Sequence, residues 1–197
     1  ADMDLEKFFD RMNHDILMER LRRRVKDVRV LRLIRRYLRA EIMEGGLVKT
    51  NQEGAPQGGP LSPLLSNILL TDLDRELERR GHSFCRYADD CNIYVKSEKA
   101  GRRVLSTITR YLEKKLKLKV NQEKSAVGRP WHRKFLGYSY SSKLKTKIRI
   151  HQDSLEKLKG KVKKLLKRAR GQNLESFIQT TLVPVLRGWI EYFSKTE

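Results

Sequence analysis

Long apolar runs are missing from this chain, so no stretch approaches the roughly 20 residues of a bilayer-spanning helix. No secretory leader shows: the first residues are acidic and amphipathic, not basic and then apolar. Cysteine is scarce, with only Cys85 and Cys91, which excludes a disulfide-stapled scaffold. If the chain turns over at Ala88-Asp89, the two thiols are offset by one position across a hairpin. They then face opposite ways and do not pair. Two free, buried thiols fit a reducing cytoplasm. The four histidines, His14, His82, His132 and His151, lack ligand spacing, which argues against a zinc site. No internal repeat occurs, and no low-complexity tract outside one lysine-rich stretch.

Acidic charge runs out along the chain. Lys and Arg number 44 against 24 Asp and Glu, for a net charge of +20 and a pI near 10.2. Residues 101–150 hold 15 basic and 2 acidic side chains. Such an excess binds nucleic-acid phosphates by displacing counterions, so salt weakens the binding. Charge speaks to partners and solubility, and a solvated surface is the plainer reading of it. At 39% hydrophobic residues, the chain can bury a core.

The acids that remain include an informative pair, Tyr87-Ala88-Asp89-Asp90. Residues 83–87 and 91–96 alternate apolar and polar, which predicts a hairpin with the two Asp at its tip. No Asn-Gly or Asp-Gly turn chemistry calls for them there, and a strained turn is tolerable where function needs it. Adjacent carboxylates on a rigid hairpin suit a hard cation such as Mg²⁺. For the tetrapeptide alone, a surface turn that happens to carry two Asp is an equal reading.

Periodicity predicts a strand over 2–9, a helix from His14 capped by Asn13, and a helix over 28–44 stopped by Gly45-Gly46. A Gly-Pro-rich loop leads to a helix from Ser62 or Pro63 to Arg80, ended by Gly81. A helix over 99–116 and strands over 134–140 and 147–151 follow the hairpin. After Asp153 the pattern is helical, with Leu155, Leu158, Val162 and Leu165 in one stripe. Gly171 ends that helix and Asn173 caps the next. This alternation predicts an α+β fold of ferredoxin-like type, an antiparallel sheet with helices on one face, followed by a helical segment. The division falls between 1–152 and 153–197.

Six blocks in order carry a family resemblance: Asp2-Met3-Asp4-Leu5-Glu6-Lys7-Phe8-Phe9-Asp10; Gln57-Gly58-Gly59-Pro60-Leu61-Ser62-Pro63-Leu64-Leu65-Ser66-Asn67; the Tyr-Ala-Asp-Asp hairpin; Leu118-Lys119-Val120-Asn121-Gln122-Glu123-Lys124-Ser125; Phe135-Leu136-Gly137-Tyr138; and Leu186-Arg187-Gly188-Trp189-Ile190-Glu191-Tyr192-Phe193. The first five resemble motifs A to E of reverse transcriptases. The sixth looks like a maturase-type thumb, and the whole is similar to bacterial group II intron reverse transcriptase–maturases. The resemblance implies a palm over 1–152 and a partial thumb over 153–197. In that family a fingers region precedes motif A, so the stretch reads as part of a longer protein, weakly active or inactive alone. Its exposed palm surface would suit a homodimer.

The resemblance also implies roles. Asp4, Asp89 and Asp90, with the Leu5 carbonyl, match the holders of two Mg²⁺ ions, for which Mn²⁺ can substitute. Asp2 and Asp10 are rival carboxylates: on a strand Asp2 would share a face with Asp4, but Phe9 lying five positions on favours Asp4. Phe9 matches the gate against a ribose 2′-hydroxyl; the plainer reading is that Phe8 and Phe9 are core aromatics, and on a strand one of them must be. Gln57 and Gly58 would position nucleotide and template, and Lys124 would act at the leaving pyrophosphate. Phe135, Leu136, Gly137 and Tyr138 would grip the primer end. Lys157, Lys161, Lys164 and Arg168 would meet phosphates, while Trp189 and Phe193 read as thumb core. The function implied is RNA-directed DNA polymerisation on intron RNA, with an RNA template, a DNA or RNA primer and dNTPs, together with intron RNA binding and splicing assistance. The expected setting is the bacterial cytoplasm, with the protein bound to RNA or nucleoid. Two other readings stand: a non-catalytic RNA-binding maturase scaffold, or a reverse transcriptase of another bacterial element, which the Leu-Arg-Gly-Trp segment disfavours.

Overall fold

The alternation around the paired Asp forms a tight antiparallel hairpin in the computed structural model, β4 (Ser83–Tyr87) and β5 (Asp90–Tyr94), joined by Ala88-Asp89. The structure describes residues 1–40, 42–44, 47–49, 53–56, 58–142 and 147–196. They gather into two units, Ala1–Gly128 and Arg129–Glu197.

In the first unit β5 also pairs with β1 (Asp2–Met3), giving a three-stranded antiparallel sheet in the order β1-β5-β4. The other side of β1 is bridged by residues 120–126, through Leu5 with Val120 and Asp2 with Ala126. Strand alternation splits the sheet by chemistry. Met3, Cys91 and Ile93, with Phe84 beside them, face a core shared with α1 (His14–Arg24), α3 (Ser62–Arg79) and α4 (Glu98–Tyr111). Asp2, Asp4, Asp90 and Asn92 take the other parity. The fold is α+β, as the pattern predicts.

Local chemistry sets the helix starts. Asn13 caps α1 by accepting from Ile16 N at 3.0 Å, Asp27 caps α2 (Val28–Leu38) from Arg29 N at 2.7 Å, and Ser97 caps α4 from Ala100 N at 3.2 Å. Gly81, at φ +71°, follows α3. α4 runs into a π-helical turn, Leu112–Leu116, closed by Lys117.

Three expectations are corrected. The strand over 2–9 stops at Met3, because Lys7 turns left-handed (φ 47°) into a 3₁₀ turn, Phe8–Asp10. Phe8 and Phe9 are therefore not strand neighbours. The helix over 28–44 ends at Leu38, and β2 (Ile42–Glu44) pairs with β3 (Leu47–Lys49). A Gly-Gly between apolar residues is as much a hairpin signal as a helix stop. The thiols are not both buried: Cys91 is in the core, where burial pushes its pKa up to about 12, and Cys85 is exposed. Register explains this. Cys85 sits opposite Asn92 and Cys91 opposite Arg86, so the two thiols take opposite faces.

The second unit holds the hairpin β6 (Tyr138–Tyr140) and β7 (Ile148–Ile150), then α5 (Gln152–Arg168), α6 (Leu174–Phe177), a π-helical turn (Ile178–Leu182) and α7 (Val183–Tyr192). His151 caps α5, and Asn173 caps α6 by accepting from Ser176 N at 3.0 Å. No helix among the described residues is long and apolar enough to cross a membrane.

The end of α3 carries a measurable acid response. Hydrogen bonds from Arg79 first, then Arg80, hold the Glu76 carboxyl down at about 2, against the ordinary 4.5. A depressed carboxylate stabilises the fold above its unfolded pKa, and that stability is lost as pH falls through the folded value. Between pH 4.5 and about 2 the first unit should therefore lose stability, and Glu76→Gln should flatten that part of the curve. Denaturation midpoints taken through this range test it; parallel curves for both proteins would refute it.

Candidate active site

The register Asp2–Asn92 and Met3–Cys91, continued by one residue, sets Asp4 beside Asp90 at the end of β5. Asp89 occupies the second loop position of the hairpin. The three carboxylates share a field. Asp4 has a raised pKa, from burial first and from Asp89 and Asp2, with Lys124 opposing. Asp90 is raised by burial, then by Asp89, Asp4 and Asp2, again with Lys124 opposing. The rival carboxylate Asp2 thus contributes to the same negative face. Among the described residues no three His, Cys, Asp or Glu side chains form a ready-made metal cluster. The carboxylates share a potential, not yet a coordination sphere. The donor set fits a hard divalent cation: it offers oxygen ligands only, and burial and neighbouring carboxylates make Asp4 and Asp90 costlier to ionise without a cation.

Asp4 is fixed through its backbone. Its N–H donates to Ser125 Oγ at 3.0 Å, and its carbonyl accepts from Asn121 N at 2.9 Å. Asn121 Oδ1 also accepts from the N–H groups of Glu123 (3.1 Å) and Lys124 (3.2 Å), which shapes the turn bearing Lys124. The segment resembling motif D is therefore built onto the strand resembling motif A.

Arg86 fixes the hairpin tip. Sharing the inward parity of Phe84, it donates to both Asp74 oxygens (2.7 and 2.6 Å) and to Asn67 Oδ1 (2.9 Å) on α3. It also donates to the carbonyl of Ala88 at 2.8 Å. Ala88 stands at φ 52°, in the left-handed region that costs a non-glycine residue about 1–2 kcal/mol. The guanidinium holds that strained turn against α3. No role was read for Arg86 in the sequence, although a charged residue on the inward side of an alternating strand demands a partner.

The aromatic pair divides as core and rim: Phe8 is buried, and Phe9 is half-buried and edge-on to it at 5.3 Å. The segment leading into motif B is stitched to this turn. Ala55 N donates to Phe9 O at 2.7 Å, Gly54 N to Met12 O at 2.8 Å, and buried His14 meets Gly54 O at 2.6 Å. A Cβ on Gly54 would lie 2.6 Å from Phe9 O, so glycine is required there. Ser62 Oγ donates to Pro56 O at 2.6 Å and lies 3.0 Å from the Tyr37 hydroxyl, which pins the loop around exposed Gly58. Gln57 lies outside the described residues.

In the second unit Leu136 (φ 52°) and Gly137 (φ 84°) form the tip of a turn closed by paired backbone bonds between Phe135 and Tyr138, each 2.9 Å. Two helices buttress it. Ser154 Oγ donates to Gly137 O at 2.9 Å and Tyr192 Oη to Leu136 O at 2.9 Å, while Tyr138 Oη donates to Tyr192 O. The Phe193 ring lies 4.9 Å from that of Tyr138 and 4.7 Å from that of Trp189. Lys157, Lys161, Lys164 and Arg168 are exposed along one side of α5.

A strand-borne carboxylate, a hairpin tip with two more, and a lysine turn built against the strand are the arrangement expected of a nucleotidyl-transfer site. Comparison agrees: the sequence model of the reverse transcriptase (RNA-dependent DNA polymerase) family matches residues 1–140, and the chain belongs to that family. The group II intron maturase-specific domain matches residues 155–197, so the resemblance to intron-encoded reverse transcriptase–maturases is borne out. Protein YkfC of Escherichia coli is 34% identical over 63% of this chain and 42% of its own length. The group II intron-encoded protein LtrA of Lactococcus lactis is 25% identical over 82% of this chain and 36% of its own length. The chain thus spans about two fifths of these relatives. A telomerase from Candida tropicalis shares the fold, with a TM-score of 0.57 at 18% identity over 76% of this chain and 35% of its own. The family depends on divalent metal.

Proposed function

We propose that this chain is the palm (1–152) and part of the thumb (153–197) of an RNA-directed DNA polymerase encoded by a group II intron. It would work on intron RNA, with a primer and dNTPs, and also bind that RNA to assist splicing. The observation that carries the reading is the common field of Asp4, Asp89 and Asp90 on one sheet face, with Lys124 opposing it. Asp4, the Leu5 carbonyl, Asp89 and Asp90 would hold two Mg²⁺, or Mn²⁺, which when bound supply charge stabilisation to the attacking and leaving oxygens. The residues themselves do the rest. Lys124 would offset charge at the pyrophosphate side and donate a proton there. Phe9 presents a ring edge to the sugar. Gln57 and Gly58 align nucleotide and template, and Phe135, Leu136, Gly137 and Tyr138 seat the primer end. Lys157, Lys161, Lys164 and Arg168 hold phosphates.

The Phe9 assignment gives the test. In RNA-templated primer extension by the full-length protein, Phe9→Val should raise ribonucleotide use relative to deoxynucleotide use by about tenfold or more, the order of a lost steric contact of 1–3 kcal/mol. An unchanged ratio would assign Phe9 to the core alone. Absence of RNA-templated extension by the unaltered protein would leave the scaffold reading.

A further inference from the structure

Residues 20–39 hold ten basic side chains, nine of them arginine, and one acid, Asp27. They form the end of α1 and all of α2. On α2, Leu31 and Leu38 are buried and Ile34 and Tyr37 pack on the core, whereas Arg29, Arg32, Leu33 and Arg36 are exposed. The exposed four stand at i, i+3, i+4 and i+7, one stripe with neighbouring Cβ atoms about 5–6 Å apart. Ion pairs neutralise only part of this surface: Arg20 meets Asp72, Arg23 meets Glu19, Arg29 meets Asp27 and Arg35 meets Asp15. Among the described residues, Arg22, Arg24, Arg32, Arg36 and Arg39 meet no carboxylate. A groove of about 400 Å³ between the helices is lined by Arg22, Lys26, Arg32 and Arg35 over Met18 and Val25. α2 packs on α1, and α1 on α3, which lies on the core side of the sheet. The stripe is on the face of α2 opposite Leu31, Ile34 and Leu38, which are turned into the core, and none of its residues is bonded to Asp4, Asp89 or Asp90 among the described residues.

We propose that the α1–α2 surface is a second RNA-docking site, which grips the phosphate backbone of folded, double-stranded RNA apart from the site of synthesis. The proposal rests on the reading that this protein acts on RNA. Charge complementarity names the occupant. Guanidinium groups bind phosphate through two parallel donors, which a lysine cannot do. An A-form duplex presents phosphates and shape rather than readable base edges. A bilayer is a poor occupant, because Leu31, Ile34 and Leu38 are turned into the core, and the exposed Val28, Val30 and Leu33 stand among arginines without forming a separate apolar face. Binding here would set where the structured RNA lies without choosing its sequence.

The experiment compares the full-length protein with its Arg29→Gln/Arg32→Gln/Arg36→Gln form. Two probes are titrated across a range of salt: a self-folded RNA of several hairpins and a short RNA template with its DNA primer. With three phosphate contacts removed, the log–log salt slope for the folded RNA should become shallower by about 2 to 3, and its affinity at moderate salt should drop about tenfold or more. Affinity for the primer–template should stay within about twofold. Unchanged slope and affinity for the folded RNA, with the unaltered protein still binding it, would overturn the docking site and leave the polymerase reading intact. Equal loss on both probes would overturn the separation of the two sites. Failure of the unaltered protein to bind either probe would instead remove the RNA reading on which the proposal rests. Ultraviolet cross-linking of the unaltered protein to the folded RNA needs no variant: peptides within residues 22–39 should carry the attached nucleotide, and their absence would contradict the site.

Discussion

Asp89→Asn is expected to reduce RNA-templated primer extension by about a thousandfold or more while leaving RNA affinity within about twofold. The substitution keeps size and turn chemistry and removes one charge from the hairpin tip. Held metal ions stabilise the charge of the transition state by several kcal/mol, and each 1.36 kcal/mol is about a factor of ten in rate. No lysine or arginine is touched, so affinity should hold. Extension and filter binding measured on the same preparations decide it. Extension within about tenfold of the unaltered protein would remove Asp89 from the site. Intact RNA binding alongside lost extension separates polymerase from scaffold roles, since only the former needs that carboxylate.

The second large effect is expected at Arg86. Arg86→Ala leaves Asp74, a quarter exposed, without its partner, and frees the Ala88 carbonyl and Asn67. Breaking a buried pair by removing one member costs about 3–5 kcal/mol, and the partial exposure of Asp74 places this case near about 3. For a chain of this size that lowers the melting temperature by about 6–12 °C. Arg86→Lys keeps the charge but, as a single point donor, cannot span Asp74, Asn67 and Ala88 together. It should fold with a smaller loss and still show weaker Mn²⁺ binding, because the tip that aims Asp89 and Asp90 is no longer pinned. Unfolding curves and Mn²⁺ titration by water-proton relaxation test the two claims. A stable Arg86→Ala protein would show that the turn needs no clamp.

Much of this was legible from the chain alone, because short-range chemistry governed it. Asn13 and Asn173 cap helices by reaching an N–H three residues on, and the hairpin around Ala88-Asp89 follows from alternation. What escaped depended on long-range partners. Ser125 matters because strand pairing brings it to the Asp4 N–H, 121 positions away. The break at Lys7 and the end of α2 at Leu38 are tertiary outcomes that local propensity did not contain. The exposure of Cys85 follows from register, which fixed opposite faces but not which one is covered. The carboxylates themselves were found by motif, and their closeness had to come from the sheet.

The position of β1 between β5 and residues 120–126 sets an order of events during synthesis on the ribosome. Asp4 is made well before its neighbours at 90–92 and its backbone partners Asn121 and Ser125, which come roughly 90 to 120 residues later. Local helices such as α1 can form early, while contacts of such sequence separation must wait for loop closure. The nascent chain therefore cannot assemble the face that carries Asp4 and Asp90 until residues near 126 have cleared the exit tunnel, and an incomplete product that stops short of them carries every residue of the first block without the partners that hold it.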